Sequence, residues 1–407
     1  MLLVIWVGAN LMRQRFGLDQ SSENANDTLP HADAAKNEMS FSVDAIIIGA
    51  GIVGLAAGRA LALRGLEVVV LEQASSIGSE TSSRNSGVIH AGIYYSPHSL
   101  KARCCVSGNP LLYDYADAHH VGYKRCGKLI VANSDADREA LNTIYTRARN
   151  CGVEDLQWLG TAQIAEIEPQ VHGQCALFSP STGIIDVHQL LLSLRGDIER
   201  AGGAVVCNSP VIGGRLAQQG IHLLEVGGGS PTEISAPVVI NASGLHARNL
   251  VLSLSGFNRA LLPPQSYALG HYFSYSGSAP FNHLIYPVPE PGGLGIHATL
   301  DLSGQVQFGP DVRWIDAIDY SFDDSRKAYF AESIRRYFPS LDEDRLQPNY
   351  TGIRPKLVGP GEPNADFELL LPEHHGIKGF ASLHGIESPG LTSTLALAEV
   401  VAGAVMQ

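Results

Sequence analysis

The chain has 407 residues, a length that predicts two or three domains with a large apolar interior. Hydrophobic residues make up 45% of the sequence and charged residues 17%, which is usual for a globular protein. The formal net charge of -12 disfavours a nucleic-acid partner, because phosphate backbones are bound by clustered lysine and arginine. A small anionic substrate stays compatible with this charge, since local basic residues can outweigh the global sign.

The six cysteines include no CxxC pair, and only Cys104 and Cys105 are adjacent. This pattern predicts reduced structural thiols and no metal site, and it suits a reducing compartment. We therefore expect a cytoplasmic protein, with peripheral attachment to the inner membrane as an alternative.

Residues 1–40 are predicted to be an extension outside the fold. Residues 1–12 are apolar, but they are too short to span a bilayer and have no basic segment before them. Residues 19–40 are polar and turn-rich, which is typical of disorder. Met39 stands just before the first apolar run, so an over-extended start and an export signal are both open explanations.

The ordered pattern begins with a strand, a helix and a second strand. An apolar run starts at Val43, and Ala56, Ala60 and Leu63 then recur at helical spacing until Gly65. A second apolar run ends at residue 72. Its β-branched residues predict strands that are buried on both faces of a sheet.

Further along the chain we predict helices over 99–118, 135–151, 187–201 and 391–405. Strands are predicted over 126–132, 204–208 and 378–382, and an antiparallel sheet between about 261 and 350. Glycine pairs predict hairpin turns at 213–214 and 227–229.

The first strand–helix junction carries a dinucleotide-binding fingerprint. Gly49, Gly51 and Gly54 form GxGxxG between the strand and the helix, and Glu72 closes the second strand. The glycines would allow a tight turn, close approach to a diphosphate and packing of the helix on the strand. Glu72 would accept hydrogen bonds from ribose hydroxyls.

Two features favour FAD over a nicotinamide dinucleotide. A donor-rich loop follows Glu72, and the chain has no second GxGxxG that could bind a nicotinamide reductant. The loop 385–390 and the helix after it would add backbone N–H groups near the flavin, although a simple helix cap by Ser388 or Thr392 is an alternative. The predicted cofactor contacts beyond the fingerprint are Thr81, Ser82, Ser83, Arg84, Asn85, Ser86, Val211, Gly244, Gly385, Ser388, Gly390 and Leu391.

Several longer motifs resemble the FAD-dependent D-amino-acid oxidase-like superfamily, and within it the L-2-hydroxyglutarate dehydrogenase/oxidase group. They are NSGVIHAGIYY (85–95), SLKA (99–102), CGKLIVA (126–132), STGIIDVHQL (181–190), NASGLHA (241–247), HLIYPVPEP (283–291), GIH (295–297) and FGP (308–310). The last third departs from the group at TGIRPKL (351–357) and GIESPGLTS (385–393). This departure puts the identity of the acid in doubt more than the reaction type.

The resemblance implies roles for five side chains. His90 is the expected base, because a neutral imidazole has a pKa near the operating pH. Hydrogen bonding to the flavin or to a backbone carbonyl is its alternative role, and His297 is the second choice for the base. Arg354 would clamp the substrate carboxylate, and a surface ion pair is its alternative. Lys356 would meet a second carboxylate or be solvated. Tyr286 would donate to the substrate or serve only in packing.

The predicted fold class is α/β, with a Rossmann-type FAD-binding domain interleaved with an antiparallel-sheet substrate domain. We assign 43–120, 175–255 and 351–407 to the FAD-binding domain. The substrate domain takes 121–174 and 256–350.

The implied function is FAD-dependent oxidation of a 2-hydroxy acid, L-2-hydroxyglutarate first, to the 2-oxo acid. The alternatives are a glycine or D-amino-acid oxidase and a non-catalytic dinucleotide-binding protein. The electrons would pass to oxygen, a quinone or a carrier protein. We expect no transmembrane segment, and peripheral membrane contact is compatible with the sequence.

Overall fold

The computed structural model describes residues 41–227, 232–289 and 295–407. The predictions for residues 1–40 and for the turn at 228–229 lie outside these ranges. Within them, the strands form four sheets. No helix in the described ranges combines the length and apolar character that crossing a membrane requires. All six cysteines are free thiols.

A six-stranded sheet carries the dinucleotide fingerprint. Its strands are parallel except for the last, which runs antiparallel to its neighbour. In spatial order they are Ala204–Val206, Val68–Leu71, Ala45–Ile48, Val238–Asn241, Phe380–His384 and Glu368–Leu370. The two central strands before and after the first helix are fully buried, as their β-branched runs predict. The predicted strand–helix–strand unit and the α/β class are confirmed.

Helices cover one face of this sheet. Ala45 and Ile47 point into a core with these helices, whereas Ile46 and Ile48 point to the other face, following the period of two along a strand. The covering helices are Ile52–Ala62, Leu100–His119, Val187–Arg200 and Gly390–Val405. Their bounds lie within two residues of the predicted ones, except for the first helix, which ends at Ala62 rather than at Gly65.

A five-stranded sheet packs on the opposite face. Its order is Phe41–Ser42, Thr232–Ala236, His222–Val226, Val211–Arg215 and Leu254–Ser255. The hairpin predicted at Gly213–Gly214 is wrong, because both glycines lie inside a strand whose register shifts between Val211 and Gly213. Gly214 has φ +152°, and a Cβ there would lie 2.4 Å from the carbonyl oxygen of Leu223. The glycine pair serves a bulge within the strand instead of a turn.

A nine-stranded sheet forms the second large layer. It is mostly antiparallel, as predicted, but Leu284–Pro287 runs parallel to Lys128–Ala132. Its path is Arg313–Ile315, Ser266–Tyr275, Val306–Phe308, Ala298–Leu300, Leu284–Pro287, Lys128–Ala132, Cys175–Ser179 and Gln157–Gly160, and Leu346–Lys356 pairs with the second of these strands.

A small three-stranded sheet and five further α-helices, one of them 16 residues long, complete the part of the fold that the structure describes. The sheet contains Val88–Ile89, Gly183–Ile185 and Tyr123–Lys124. The other helices are Asp135–Asn150, Thr161–Ile167, Ala247–Ser253, Lys327–Arg335 and Pro372–His375. The boundaries proposed at 175 and 351 do not follow the sheets. Cys175–Ser179 pairs with Lys128–Ala132, and Leu346–Lys356 pairs with Ser266–Tyr275 on both sides of residue 351.

Candidate active site

A cavity of about 1140 Å³ opens where the six-stranded sheet meets the nine-stranded sheet. Ile48 and Leu71 line it at the carboxyl ends of parallel strands, and Ala242 lines it just after a third such strand. Ligands of open α/β sheets bind at this edge. Predicted cofactor and substrate residues line the same cavity: Gly49, Gly51, Glu72, Ser82, Arg84, Asn85, Ser86, His90, Val211, Gly244, Tyr286, His297, Arg354, Lys356, Ser388, Gly390 and Leu391, together with Thr81.

The glycine loop leaves space that side chains would fill. Gly49 has φ +101°, and a Cβ on it would lie 2.7 Å from the carbonyl oxygen of Ala242. Gly54 does not line the cavity, but a Cβ there would lie 2.0 Å from the carbonyl oxygen of Gly49. Gly54 therefore acts through close packing of the helix on the loop, as the third glycine of the fingerprint is expected to do.

Glu72 is fixed by two backbone amides at the end of its strand. Its Oε2 accepts a hydrogen bond from the Ala50 N–H and its Oε1 from the Ala74 N–H, each at 2.8 Å. The residue is only 9% exposed and lines the cavity. The carboxylate is thus held beside the glycine loop, where it can accept hydrogen bonds from the hydroxyl groups of a ribose.

Some residues of the loop after Glu72 line the cavity, and others point to solvent. The hydroxyl of Ser82 accepts the Ile52 N–H at 2.9 Å at the start of the first helix. Asn85 accepts the Gly87 N–H at 2.8 Å, which fixes the loop. The predicted cofactor contact of Ser83 is not supported, because a turn of 3₁₀ helix directs it to solvent and its hydroxyl donates to the Glu80 carbonyl.

Arg84 places a buried donor at the cavity. Its guanidinium lies over the Tyr320 ring at 4.2 Å and donates from Nη1 to the Thr351 carbonyl at 3.2 Å. Its Nε is buried and finds no partner among the described residues. A bound group with acceptor oxygens would satisfy this atom.

The loop at 385–391 lies across the cavity. The final helix begins after Pro389 with no side-chain cap, so the capping alternative for Ser388 or Thr392 is wrong. The Thr392 hydroxyl instead accepts the His90 N–H at 2.9 Å. Gly385 does not line the cavity. It has φ +65°, and a Cβ there would lie 2.6 Å from the Leu357 side chain, so this glycine serves the tight turn of the loop.

Arg354 enters the cavity from the long strand Leu346–Lys356. Its Nη1 and Nη2 both donate to the Asp311 carbonyl at 3.2 Å. The Asp311 carboxylate is itself held by the His271 backbone N–H at 2.7 Å and by Arg326 Nε at 2.8 Å. The Asp311 carbonyl fixes the orientation of the guanidinium by binding one N–H of each terminal nitrogen. The remaining N–H groups can donate to a planar anion.

His90 is an uncharged imidazole at the cavity wall. Its Nε2 lies 3.2 Å from the Ser388 hydroxyl, and its Nδ1 is buried with no partner in the described part of the chain. Burial lowers the pKa of His90 well below its usual value, and repulsion from Lys128, and from His297 when that ring is protonated, adds to this effect. A neutral imidazole can accept a proton at physiological pH.

His297 is held in one tautomer. Its Nδ1 lies 3.1 Å from the Gly295 carbonyl, which only accepts, so Nδ1 carries the proton and Nε2 keeps a lone pair. The ring stacks on Tyr286 at 3.9 Å between centroids. Burial lowers the pKa of His297 to about 3, and Lys128 and Arg354 contribute in the same direction.

Lys356 is part of a buried ion cluster. Its Nζ lies 2.8 Å from Glu387 Oε2 and 3.1 Å from Asn364 Oδ1, and Lys101 reaches the same carboxylate at 3.1 Å. Burial acts to raise the pKa of Glu387, but the two lysines hold it below its usual value. Lys101, Glu387 and Lys356 all line the cavity. The pairing with Glu387 was missed from the sequence.

A second residue missed from the sequence is Lys128. It is fully buried in Lys128–Ala132, and its Nζ lies 4.8 Å from the Tyr94 ring centre and 4.7 Å from that of Tyr286. A charged residue within the apolar run CGKLIVA is the signal that could have found it. His271 and His384, by contrast, are buried outside the cavity lining.

Comparisons with known proteins agree with this geometry. The family described as FAD dependent oxidoreductase matches residues 44–404. The chain is 41% identical to L-2-hydroxyglutarate dehydrogenase, mitochondrial, of Arabidopsis thaliana, with 88% of this chain and 83% of that protein covered. It is 30% identical to the Escherichia coli (strain K12) L-2-hydroxyglutarate dehydrogenase, with coverage of 78% and 83%.

Solved structures support the fold. L-alpha-glycerophosphate oxidase from Mycoplasma pneumoniae, with FAD bound, has a TM-score of 0.81 at 23% identity and covers 90% of this chain and 95% of its own. Glycine oxidase from Geobacillus kaustophilus has a TM-score of 0.75 at 20% identity, with coverage of 90% and 95%.

The described residues fit FAD. The side-chain-free space at Gly49, the fixed Glu72 carboxylate and the buried Nε of Arg84 form a dinucleotide cradle. The cavity also has the volume for a large cofactor beside a small substrate. The chain therefore belongs to the FAD-dependent oxidoreductase family and is a flavoenzyme that binds FAD.

Proposed function

We propose that this enzyme oxidises the secondary alcohol of a 2-hydroxy acid, with L-2-hydroxyglutarate as the substrate, to the 2-oxo acid. The observation that carries the proposal is one cavity that joins the Arg354 guanidinium to two uncharged histidines, His90 and His297. An anion clamp beside a proton acceptor is what oxidation next to a carboxylate requires. The names of the curated relatives support the choice of acid.

Arg354 is proposed to bind the carboxylate next to the reacting carbon. The Asp311 carbonyl fixes its guanidinium, so less entropy is lost when the anion binds. Lys356 and Lys101 lie in the same cavity and provide positive charge for a second carboxylate, partly balanced by Glu387. When bound, FAD would supply the oxidant, with its N5 as the acceptor for the hydride lost from Cα.

His90 is proposed to accept the proton of the substrate hydroxyl, and His297 is the alternative. Both rings are neutral because burial disfavours their charged forms. Tyr286 is buried, and burial raises its pKa well above the usual value, so its hydroxyl remains a hydrogen-bond donor. The single substitutions His90→Gln and His297→Gln distinguish the two candidate bases. The variant that lacks the true base should lose most of the rate of flavin reduction at saturating substrate, whereas the other variant should retain most of it.

A substrate panel with an artificial electron acceptor tests the proposed activity. The panel contains both enantiomers of 2-hydroxyglutarate, lactate, glycine and a D-amino acid. We expect turnover with L-2-hydroxyglutarate, and weaker turnover with lactate because it lacks the second carboxylate. Turnover with glycine or the D-amino acid alone would replace this proposal with an amino-acid oxidase. A purified chain without a yellow chromophore after FAD addition would support a non-catalytic protein.

The electron acceptor is proposed to be oxygen, a quinone or a carrier protein. Reoxidation of the substrate-reduced enzyme separates these classes. Rapid return of the oxidised flavin spectrum in air identifies oxygen. A return that needs added quinone identifies a quinone, and failure of both points to a carrier protein.

A further inference from the structure

Lys128 is a charged residue in an apolar part of the fold. It begins the strand Lys128–Ala132, whose five residues are all buried, and it has no exposed surface. Its Nζ is buried and makes no hydrogen bond to any described residue. Burial of an unpaired ammonium costs stability, because the charge loses its hydration without gaining a counter-ion. Such a residue calls for a functional explanation.

The Lys128 ammonium contacts the walls of the cavity through two aromatic rings. Its Nζ lies 4.8 Å from the ring centre of Tyr94 and 4.7 Å from that of Tyr286. Aromatic faces attract cations at these distances. Both tyrosines line the cavity, whereas Lys128 itself does not. The rings of Tyr94 and Tyr286 therefore lie between the Lys128 ammonium and the cavity surface that a substrate would contact.

Among the residues that the structure describes, the groups around Lys128 give it no negative partner. The loop before the helix Leu100–His119 contributes His90 and Tyr94, and the helix itself contributes Cys105. The neighbouring strand contributes Tyr286. His297 also feels the charge of Lys128. Burial raises the pKa of Cys105 well above its usual value and also raises those of Tyr94 and Tyr286, so these groups stay uncharged.

We propose that Lys128 is a positioning residue for the oxidation, whose buried positive charge adds to the effect of burial in opposing protonation of His90 and His297 and attracts the substrate anion into the cavity. The part of this proposal that concerns the substrate rests on the proposed function above. Lys128 acts through the cavity walls and not by contact with the reacting atoms. In a buried site of low polarity, a single charge acts on neighbouring groups more strongly than it would in water.

The charge of Lys128 is itself sensitive to pH. Burial lowers the pKa of Lys128 to about 7, far below that of an exposed lysine. The residue is therefore protonated below pH 7 and loses its charge as the pH rises through this value. Substrate capture should weaken over the same interval, which gives kcat/KM an alkaline limb near pH 7.

Two substitutions at Lys128 and one control test the proposal. Lys128→Met removes the charge and keeps an unbranched chain of similar length, whereas Lys128→Arg keeps the charge at all accessible pH values. Lys378→Met removes an exposed lysine and is the matched control. FAD content and melting temperature are measured for each holoenzyme. Lys128→Met should melt higher than the wild type at pH 6, since it removes a buried unpaired charge.

The first measurement is the NMR titration of the histidine rings in the holoenzyme without substrate. In Lys128→Met we expect the pKa values of His90 and His297 to rise by about 0.5 to 1 pH unit, because a like charge has been removed. The control should leave both titrations unchanged. Since no substrate is present, this result does not depend on whether L-2-hydroxyglutarate is the substrate. Histidine titrations in Lys128→Met that coincide with those of the wild type would overturn the proposal.

The second measurement is the pH profile of kcat/KM with the substrate that the panel identifies. Lys128→Met should lose at least about tenfold in kcat/KM at pH 6 and should lack the limb near pH 7. Lys128→Arg should retain the activity at pH 6 and move that limb beyond pH 9. A limb near pH 7 that survives in both variants belongs to another group and contradicts the proposal.

Discussion

The two ends of the cavity are built in different ways. At the cofactor end, the contacts come mainly from backbone groups and small residues between Gly49 and Ser86, close together in the chain. At the substrate end, His90, Tyr286, His297 and Arg354 come from separated loops and strands and meet only in the folded protein. Backbone shape determines the first end, and side-chain charge determines the second.

This difference explains why the two ends should respond differently to substitution. A glycine loop fails when a side chain fills its space, regardless of the charge of that side chain. A guanidinium or imidazole site fails when a charge or a proton acceptor is removed, while the fold and the cofactor remain. The predictions below test this separation, beginning with the largest effect.

Gly49→Ala should abolish FAD binding. The added methyl group would lie 2.7 Å from the Ala242 carbonyl oxygen, and the residue has φ +101°, a conformation that L residues rarely adopt. We expect a loss of about 3 to 5 kcal/mol in stability or cofactor binding. The ratio of flavin to protein absorbance measures the cofactor, with Gly65→Ala as a control, since Gly65 shares a positive φ but a Cβ there meets nothing within 4 Å. Full FAD content in Gly49→Ala would contradict the cradle described here.

Arg354→Ala should impair catalysis while leaving FAD bound. Loss of the anion clamp should lower kcat/KM by a factor that corresponds to roughly 2 to 4 kcal/mol, chiefly through KM. Steady-state kinetics with the identified substrate measure this loss. Arg103→Ala, at an exposed arginine, is the control. An unchanged kcat/KM in Arg354→Ala would remove this residue from the substrate end.

Acid should destabilise the substrate end through His297. The pKa of this ring is about 3 in the fold, mainly because of burial, against about 6.5 in the unfolded chain. The unfolded state therefore binds the proton first as the pH falls below 6.5, and the stability of the folded state decreases. Between pH 7 and pH 5 the loss should be about 2 kcal/mol.

Melting temperatures of the holoenzyme across this interval test the effect of His297. The His297→Gln variant should lose less stability on acidification than the wild type, because its side chain does not titrate. Equal losses in the two proteins would show that His297 is not a buried neutral ring.

Ser82→Ala should have the smallest effect. It removes the hydroxyl that accepts the Ile52 N–H at 2.9 Å, a loss of about 1 kcal/mol. We expect slightly weaker FAD binding in a titration of apoprotein, with unchanged kcat at saturating FAD. Ser83→Ala is the matched control, because Ser83 is exposed and should bind FAD like the wild type. A larger effect at Ser83 than at Ser82 would reverse the assignment of this loop.

The sequence predicts the cofactor end well because its signals are local. The strand before Gly49, the helix after it and Glu72 lie within about thirty residues, so hydrophobic period and glycine spacing are sufficient. Local signals were ambiguous at Gly213 and Gly214, where a glycine pair serves a bulge as readily as a turn.

The substrate end was only partly predictable. Arg354 and His90 stood out as residues in motifs, but the partners that set their charge and orientation come from distant segments. Lys128 meets Tyr286 across neighbouring strands, and Glu387 pairs with Lys101 over 286 positions. No spacing rule in a single sequence reports such contacts, because only the tertiary fold creates them.

Anaerobic reduction of the flavin tests the central claim most directly. Holoenzyme is mixed with L-2-hydroxyglutarate without oxygen or any other acceptor, and the flavin absorbance is followed. The account predicts bleaching by this substrate in the wild type, with a much weaker response in Arg354→Ala at the same substrate concentration and equal FAD content. A flavin that stays oxidised with every 2-hydroxy acid, but bleaches with glycine or a D-amino acid, would contradict it.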